Sequence, residues 1–259
     1  MKLFFRKSGT GKPVIILHGL FGMSDNWVSF AKRFPEKYQV ILPDLRNHGQ
    51  SPHSPDFSYE LMAEDLHELV IEEKLEDIIL TGHSLGGKLA MVFALKYPTL
   101  ISKLIVIDMA PRFYPPHHQH VFDALERVNL SEISSRSEAA LKLDLPDEST
   151  RLFLLKNLFR SPTNPSVFAW RFNLRAIHQH LAEIGKEIMH LALSSPNPTP
   201  YATLFIKAEK SAYIRLEDEN KIKMLFPTAE MIEIPEAGHW VHADKPDELF
   251  EIMFHFIEN

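Results

Sequence analysis

Cysteine is absent from all 259 residues. That excludes a disulfide framework, a thiolate nucleophile and cysteine-ligated zinc. No run approaches the ~18 consecutive apolar residues of a membrane-spanning helix, so no membrane insertion is expected. The first residues, Met1-Lys2-Leu3-Phe4-Phe5-Arg6-Lys7, carry no apolar stretch of signal-peptide length before charge returns, and a cytoplasmic protein is expected. Basic residues are not in excess: 28 Lys+Arg stand against 34 Asp+Glu, a net charge of −6. Nucleic acid or an anionic membrane as the main partner requires a basic face, and neither is expected here. No internal repeat is visible. What remains is an ordinary globular composition, 45% hydrophobic and 24% charged, in a chain long enough for one sizeable core that carries an insertion.

The first third alternates short apolar runs with helical patterns. Val14–Leu17, Val40–Leu42, Ile78–Leu80 and Leu104–Ile107 are continuously apolar, which fits strands buried on both faces of a parallel sheet. Helices are expected over Ser24–Arg33, behind Ser58 as N-cap with Met62, Leu66, Leu69 and Val70 on one face, and from Ser84 to Lys96 before Pro98. The rhythm breaks at Ala110. From Pro111 to Pro200 there are helical patterns over His120–Val128, Asp147–Phe159 and Ala176–Leu193, and no convincing strand. It resumes with Leu204–Ile206 and Met231–Ile234, and a helix from Pro246 puts Leu249, Met253 and Phe256 on one stripe. The reading is an α/β core of residues 1–110 and 200–259, interrupted by a helical cap at 111–199, with Ser194–Pro200 as return linker.

Chemistry concentrates at Gly82-His83-Ser84-Leu85-Gly86-Gly87. Gly-x-Ser-x-Gly between a strand and a helix is the context of a nucleophile elbow, which lifts the Ser84 hydroxyl above the sheet at a helix N-terminus. His18-Gly19-Leu20-Phe21-Gly22 follows the first buried strand. The oxyanion hole of such a fold takes one N–H from this loop, here Leu20 with Phe21 as the alternative, and one from Leu85 just after the nucleophile. The triad order in this fold is Ser, acid, His, which makes His18 an orienting residue and gives the base to His239 in Ala237-Gly238-His239-Trp240, ahead of His242. Two carboxylates compete for the acid. Glu209 follows the strand Leu204–Ile206, where Ser211 stands in the position most useful for an Asp; Asp108 closes the preceding strand and is favoured because a triad acid must be buried and rigid. His48, in Arg46-Asn47-His48-Gly49, reads as a loop residue framing the site, and His117, His118 and His120 lack carboxylates at ligand spacing, so no metal is expected.

These blocks resemble α/β-hydrolase-fold serine hydrolases over essentially the whole chain. Asp44-Leu45-Arg46-Asn47-His48-Gly49-Gln50-Ser51 and Ile107-Asp108-Met109-Ala110-Pro111 resemble more narrowly the YbfF-type bacterial esterases, which act on short esters and acyl-CoA thioesters. In that group the acid follows the earlier strand, which supports Asp108 and agrees with Ser211 in place of Asp. The resemblance implies an α/β-hydrolase fold and a serine esterase or thioesterase with Ser84, Asp108 and His239 as triad. Leu20 and Leu85 are the expected oxyanion donors, and no cofactor is needed. The expected partner is a small-molecule ester or thioester. Phe21, His83, Phe113 and Trp240 are expected to line an apolar acyl pocket beneath the insertion. A carboxylate-nucleophile reaction is excluded because position 84 is Ser. A carbon–carbon bond hydrolase with the same triad and a non-catalytic ligand receptor remain as alternatives.

Overall fold

The computed structural model describes residues 1–116, 118–161, 164–193 and 199–259. The apolar runs become the strands β1 (Phe5–Ser8), β2 (Lys12–Leu17), β3 (Tyr38–Pro43), β4 (Ile78–His83), β5 (Ile101–Ile107), β6 (Leu158–Arg160), β7 (Phe168–Trp170), β8 (Ala202–Ala208) and β9 (Glu230–Ile234). The helices are α1 (Val28–Ala31), α2 (Tyr59–Glu72), α3 (Leu85–Lys96), α4 (Gln119–Arg127), α5 (Arg136–Lys142), α6 (Glu148–Leu155), α7 (Leu174–Gln179), α8 (Leu181–Gly185), α9 (Asp218–Leu225), α10 (Val241–Asp244) and α11 (Pro246–Glu258). Seven strands form one sheet in the order β1-β3-β2-β4-β5-β8-β9, with β1 antiparallel to β3 and every other neighbouring pair parallel.

Alternation along each strand divides the interior in two. Ile15, Leu17, Leu80, Leu104 and Val106 join α2 and α3 on one face; Val14, Ile16, Ile79, Ile105 and Ile107 join α1 and α11 on the other. Ser58 starts α2 by accepting the Leu61 amide at 3.3 Å, and Met62, Leu66, Leu69 and Val70 are buried as the periodicity requires. Among the described residues no helix is long and apolar enough to cross a membrane.

Several expectations change. β1 lacks the apolar signature because it is a polar edge strand, Phe-Arg-Lys-Ser, held only by β3. The expected helix Ser24–Arg33 is a 3₁₀ turn, Ser24–Asn26, followed by one turn of α1. Between β5 and β8 the chain leaves the sheet, and it is not purely helical there. The helix expected to reach Phe159 ends at Leu155, and β6 and β7 pair as an antiparallel hairpin in which Arg160 lies 4.0 Å over the Phe168 ring. The helix expected over Ala176–Leu193 begins at Leu174 and breaks at His180 into α7 and α8, followed by a 3₁₀ turn at Met189–Leu193. Of the expected linker, residues 194–198 lie outside the described residues, as does His117.

Candidate active site

β4 ends at His83 and α3 begins at Leu85, so the chain turns on one residue. Ser84 takes φ 54° and ψ −120°, a strained region costing roughly 1–3 kcal/mol for a residue with a side chain. The turn is so tight that a Cβ on Gly82 would stand 2.0 Å from the Gly86 carbonyl oxygen, and one on Gly86 would stand 2.5 Å from that of Leu17. Glycine at both positions is a steric requirement.

The turn directs the Ser84 hydroxyl at the loop that follows β9. Ser84 Oγ lies 3.0 Å from His239 Nε2, and His239 Nδ1–H donates to Asp108 Oδ2 at 2.7 Å. Asp108 follows β5 directly, with φ 47° and no solvent exposure. Its Oδ1 accepts the Ala208 amide at 3.3 Å, and its Oδ2 also accepts the Ser211 hydroxyl. Ser211, from the loop after β8, thus donates to the carboxylate at the end of β5. Two rings hold His239, one at its side chain and one at its backbone. Tyr213 stacks on it at 3.8 Å and 11°, and His83 donates from Nε2 to the His239 carbonyl at 2.7 Å. Glu209 is exposed and accepts the Glu236 amide at 2.6 Å, so the structure does not bring it to His239. His242 stacks on Trp27 instead of facing Ser84.

The loop after β2 is held from beneath by two histidines. His18 donates from Nδ1 to the Gly19 carbonyl and accepts the Leu45 amide at Nε2; His48 donates from Nδ1 to the Arg46 carbonyl and accepts the Phe21 amide at Nε2, 3.2 Å away. Burial keeps both neutral, lowering His18 to about 4 and His48 to about 3. Arg46 anchors this region through two hydrogen bonds to the buried Asp65. With its amide on His48, Phe21 has no N–H to offer a ligand. The amides of Leu20 and of Leu85, the first residue of α3, have no acceptor among the described residues. Phe21 sits at φ 59°; its carbonyl accepts Asn157 Nδ2 at 2.9 Å, and its ring packs against Phe122 and Phe172.

Two cavities meet at Ser84. One, of about 420 Å³, is walled by Leu85, Met109, Tyr114, Leu181, Ile184 and Tyr59 and does not touch His239. The other, of about 660 Å³, is lined by His239, Trp240, Phe153, Thr150, His120 and Phe21. Three of the expected lining residues, Phe21, His83 and Trp240, are thus brought to Ser84. Phe113 is not: it is 50% exposed and lines a separate surface hollow, because Tyr114, its neighbour, takes the inward position. Lys88, one turn beyond Ser84, is wholly buried. Its Nζ donates to the carbonyls of Arg112, Gly185 and Lys186, and burial, with Arg112 second, lowers its pKa to about 7. A lone cation inside the apolar run Gly87–Leu95 was the signal for it. Tyr213 and Asn157 have no such signal in the sequence. Among the described residues no cluster of His, Asp and Glu is placed to hold a metal ion.

Residues 12–246 match the family model described as alpha/beta hydrolase fold. The chain is 36% identical to a zebrafish (Danio rerio) protein named sn-1-specific diacylglycerol lipase ABHD11, covering 98% of this chain and 81% of that one. It is 31% identical to Esterase YbfF of Escherichia coli, covering 95% and 93%. A solved structure titled Marine microorganism esterase superposes with a TM-score of 0.93 at 40% identity, over 98% of this chain and 99% of that one. A seven-stranded sheet with a serine at its strained β4–α3 turn, matched along nearly its full length, belongs to the alpha/beta hydrolase fold family.

Proposed function

We propose that the chain hydrolyses carboxylic esters through an acyl-enzyme on Ser84. That it is a carboxylic ester hydrolase of the alpha/beta hydrolase fold follows from the family and from its esterase relatives; the residue roles are the proposal. One observation carries it: the unbroken line from Ser84 Oγ through His239 to the buried Asp108, at 3.0 and 2.7 Å. His239 Nε2 takes the hydroxyl proton as Ser84 attacks the acyl carbon, and the Leu20 and Leu85 amides hold the oxyanion. Asp108 keeps the Nδ1–H tautomer and stabilises the imidazolium. His239 then protonates the leaving group, and water releases the acid by the same steps in reverse.

Orientation follows from that protonation. The leaving oxygen or sulfur must lie beside His239, so the alcohol or thiol occupies the cavity with His239 and Trp240, and the acyl chain enters the one walled by Met109, Leu181 and Ile184. Acyl-CoA thioesters are included in the proposal as substrates, and residues 111–199 are proposed to act as the cap over both cavities. Labelling with a fluorophosphonate and kinetics of Ser84→Ala test the reading. The wild type is expected to label on one serine, and the variant to lose on the order of 10⁵-fold in kcat while staying folded. Retention of a tenth of the activity by Ser84→Ala would exclude the mechanism.

A further inference from the structure

The cavity assigned to the acyl chain ends on a thin wall. Tyr59, the first residue of α2, lines that cavity and also lines the solvent-open hollow behind it, about 790 Å³ in volume, whose other walls include Phe113, Glu60, Glu183, Lys186 and His190. The chain neighbours agree with a single layer of protein between the two spaces. Ile184 and Gly185 face the inner cavity while Glu183 and Lys186 face the hollow, and Tyr114 faces in while Phe113 faces out. Tyr59 is buried to 5% exposure, and its hydroxyl donates to the Ile184 carbonyl at 3.0 Å.

Beyond that one bond to Ile184, the rest of the wall is pinned by contacts that do not involve Tyr59. The Tyr114 amide donates to the Gly185 carbonyl at 2.8 Å, and Gly185 has no room for a side chain, since a Cβ would stand 2.3 Å from the Tyr114 oxygen. Beneath it the Lys88 ammonium holds the carbonyls of Arg112, Gly185 and Lys186, the last two at the C-terminal end of α8, where a cation is favoured. Removing the Tyr59 ring would open a gap between fixed edges instead of collapsing the wall.

We propose that Tyr59 sets the acyl-length limit of this site. Its ring is the end of the acyl cavity, short acyl groups fit in front of it, and longer ones are refused because the hollow beyond is closed off. The proposal rests on the esterase reading and on the orientation given above.

The test is hydrolysis of p-nitrophenyl esters from acetyl to dodecanoyl by the wild type, Tyr59→Ala, Glu183→Trp and the double variant. The wild type should favour the short members. Tyr59→Ala should raise the ratio of decanoyl to acetyl kcat/KM by about ten-fold or more. Glu183→Trp, on the rim of the hollow, should leave the wild-type series unchanged and cancel the gain when added to Tyr59→Ala. Tyr59→Leu, a milder truncation, should move the series in the same direction if Tyr59→Ala does not fold. A wild type that takes the dodecanoyl ester as readily as the butanoyl ester overturns the proposal, and so does a folded Tyr59 variant with the wild-type ratio of decanoyl to acetyl turnover. Either result leaves the esterase reading standing. A wild type inert to every ester and to fluorophosphonate removes the esterase reading itself, and this limit with it.

Discussion

At the scale of single residues, two carboxylates, Asp108 and Glu209, are candidates for the acid. Asp108 and Glu209 both keep the order Ser, acid, His, and the preference for Asp108 came from rigidity: a short side chain at the end of an apolar strand. In the structure that side chain is buried and engaged by Ala208, Ser211 and His239, while the Glu209 carboxylate lies at the surface against the Glu236 amide. Asp108→Asn keeps the shape, removes the charge and puts an amide opposite Nδ1. By the analogy of a serine-protease triad, kcat should fall by up to ~10⁴-fold. Glu209→Gln should leave it unchanged within about two-fold, since that carboxylate is exposed and turned to the Glu236 amide, not to His239. Steady-state kinetics on both folded variants decides; a large loss for Glu209→Gln beside a small one for Asp108→Asn would reverse the assignment. Asp108 was legible because position along a strand can be read from apolar runs. Ser211's bond to Asp108 and Tyr213's stacking on His239 were not, because each joins segments whose approach depends on the β5–β8 pairing.

The elements show the same division. β2, β4, β5 and β8 are buried on both faces, and a continuous apolar run is what such a strand leaves in a sequence. The hairpin of β6 and β7 has three residues a side and a pattern too short to separate from a helix end, which is why a helix was expected to run through Leu158. The most constrained element is the β4–α3 turn. Gly86→Ala would place a methyl 2.5 Å from the Leu17 oxygen and 2.6 Å from that of His18. β2 and α3 must then separate, at a cost of about 1–3 kcal/mol by comparison with overpacked cores. The His18–Phe21 loop starts at that same contact, so fluorophosphonate labelling should slow along with the fall in melting temperature. A variant that melts lower and labels at the wild-type rate would show that the loop is independent of the turn.

Over the whole molecule, three buried histidines make stability depend on acid. His18 is lowered to about 4 and His48 to about 3, each chiefly by burial, and His83 lies well below its ordinary 6.5 for the same reason. A base with a depressed folded pKa is protonated first in the unfolded chain. The neutral form's contribution is complete above pH 6.5 and is lost as pH falls toward 4. His18 and His48 should each take away on the order of 1 kcal/mol per pH unit within that window, and His83 acts in the same direction. Urea midpoints measured from pH 7 to 5, above the range in which ordinary carboxylates titrate, should therefore fall steeply; a flat series would mean that these rings are solvated. One contact also bears on how the protein can be re-engineered. Asn157, from the segment between β5 and β8, grips the carbonyl of Phe21, next to the Leu20 amide. That segment is not an interchangeable part. Transplanting a foreign segment in its place would take away the hand that steadies the loop after β2, so new properties on this scaffold are better sought by point changes inside the existing segment than by exchanging it whole.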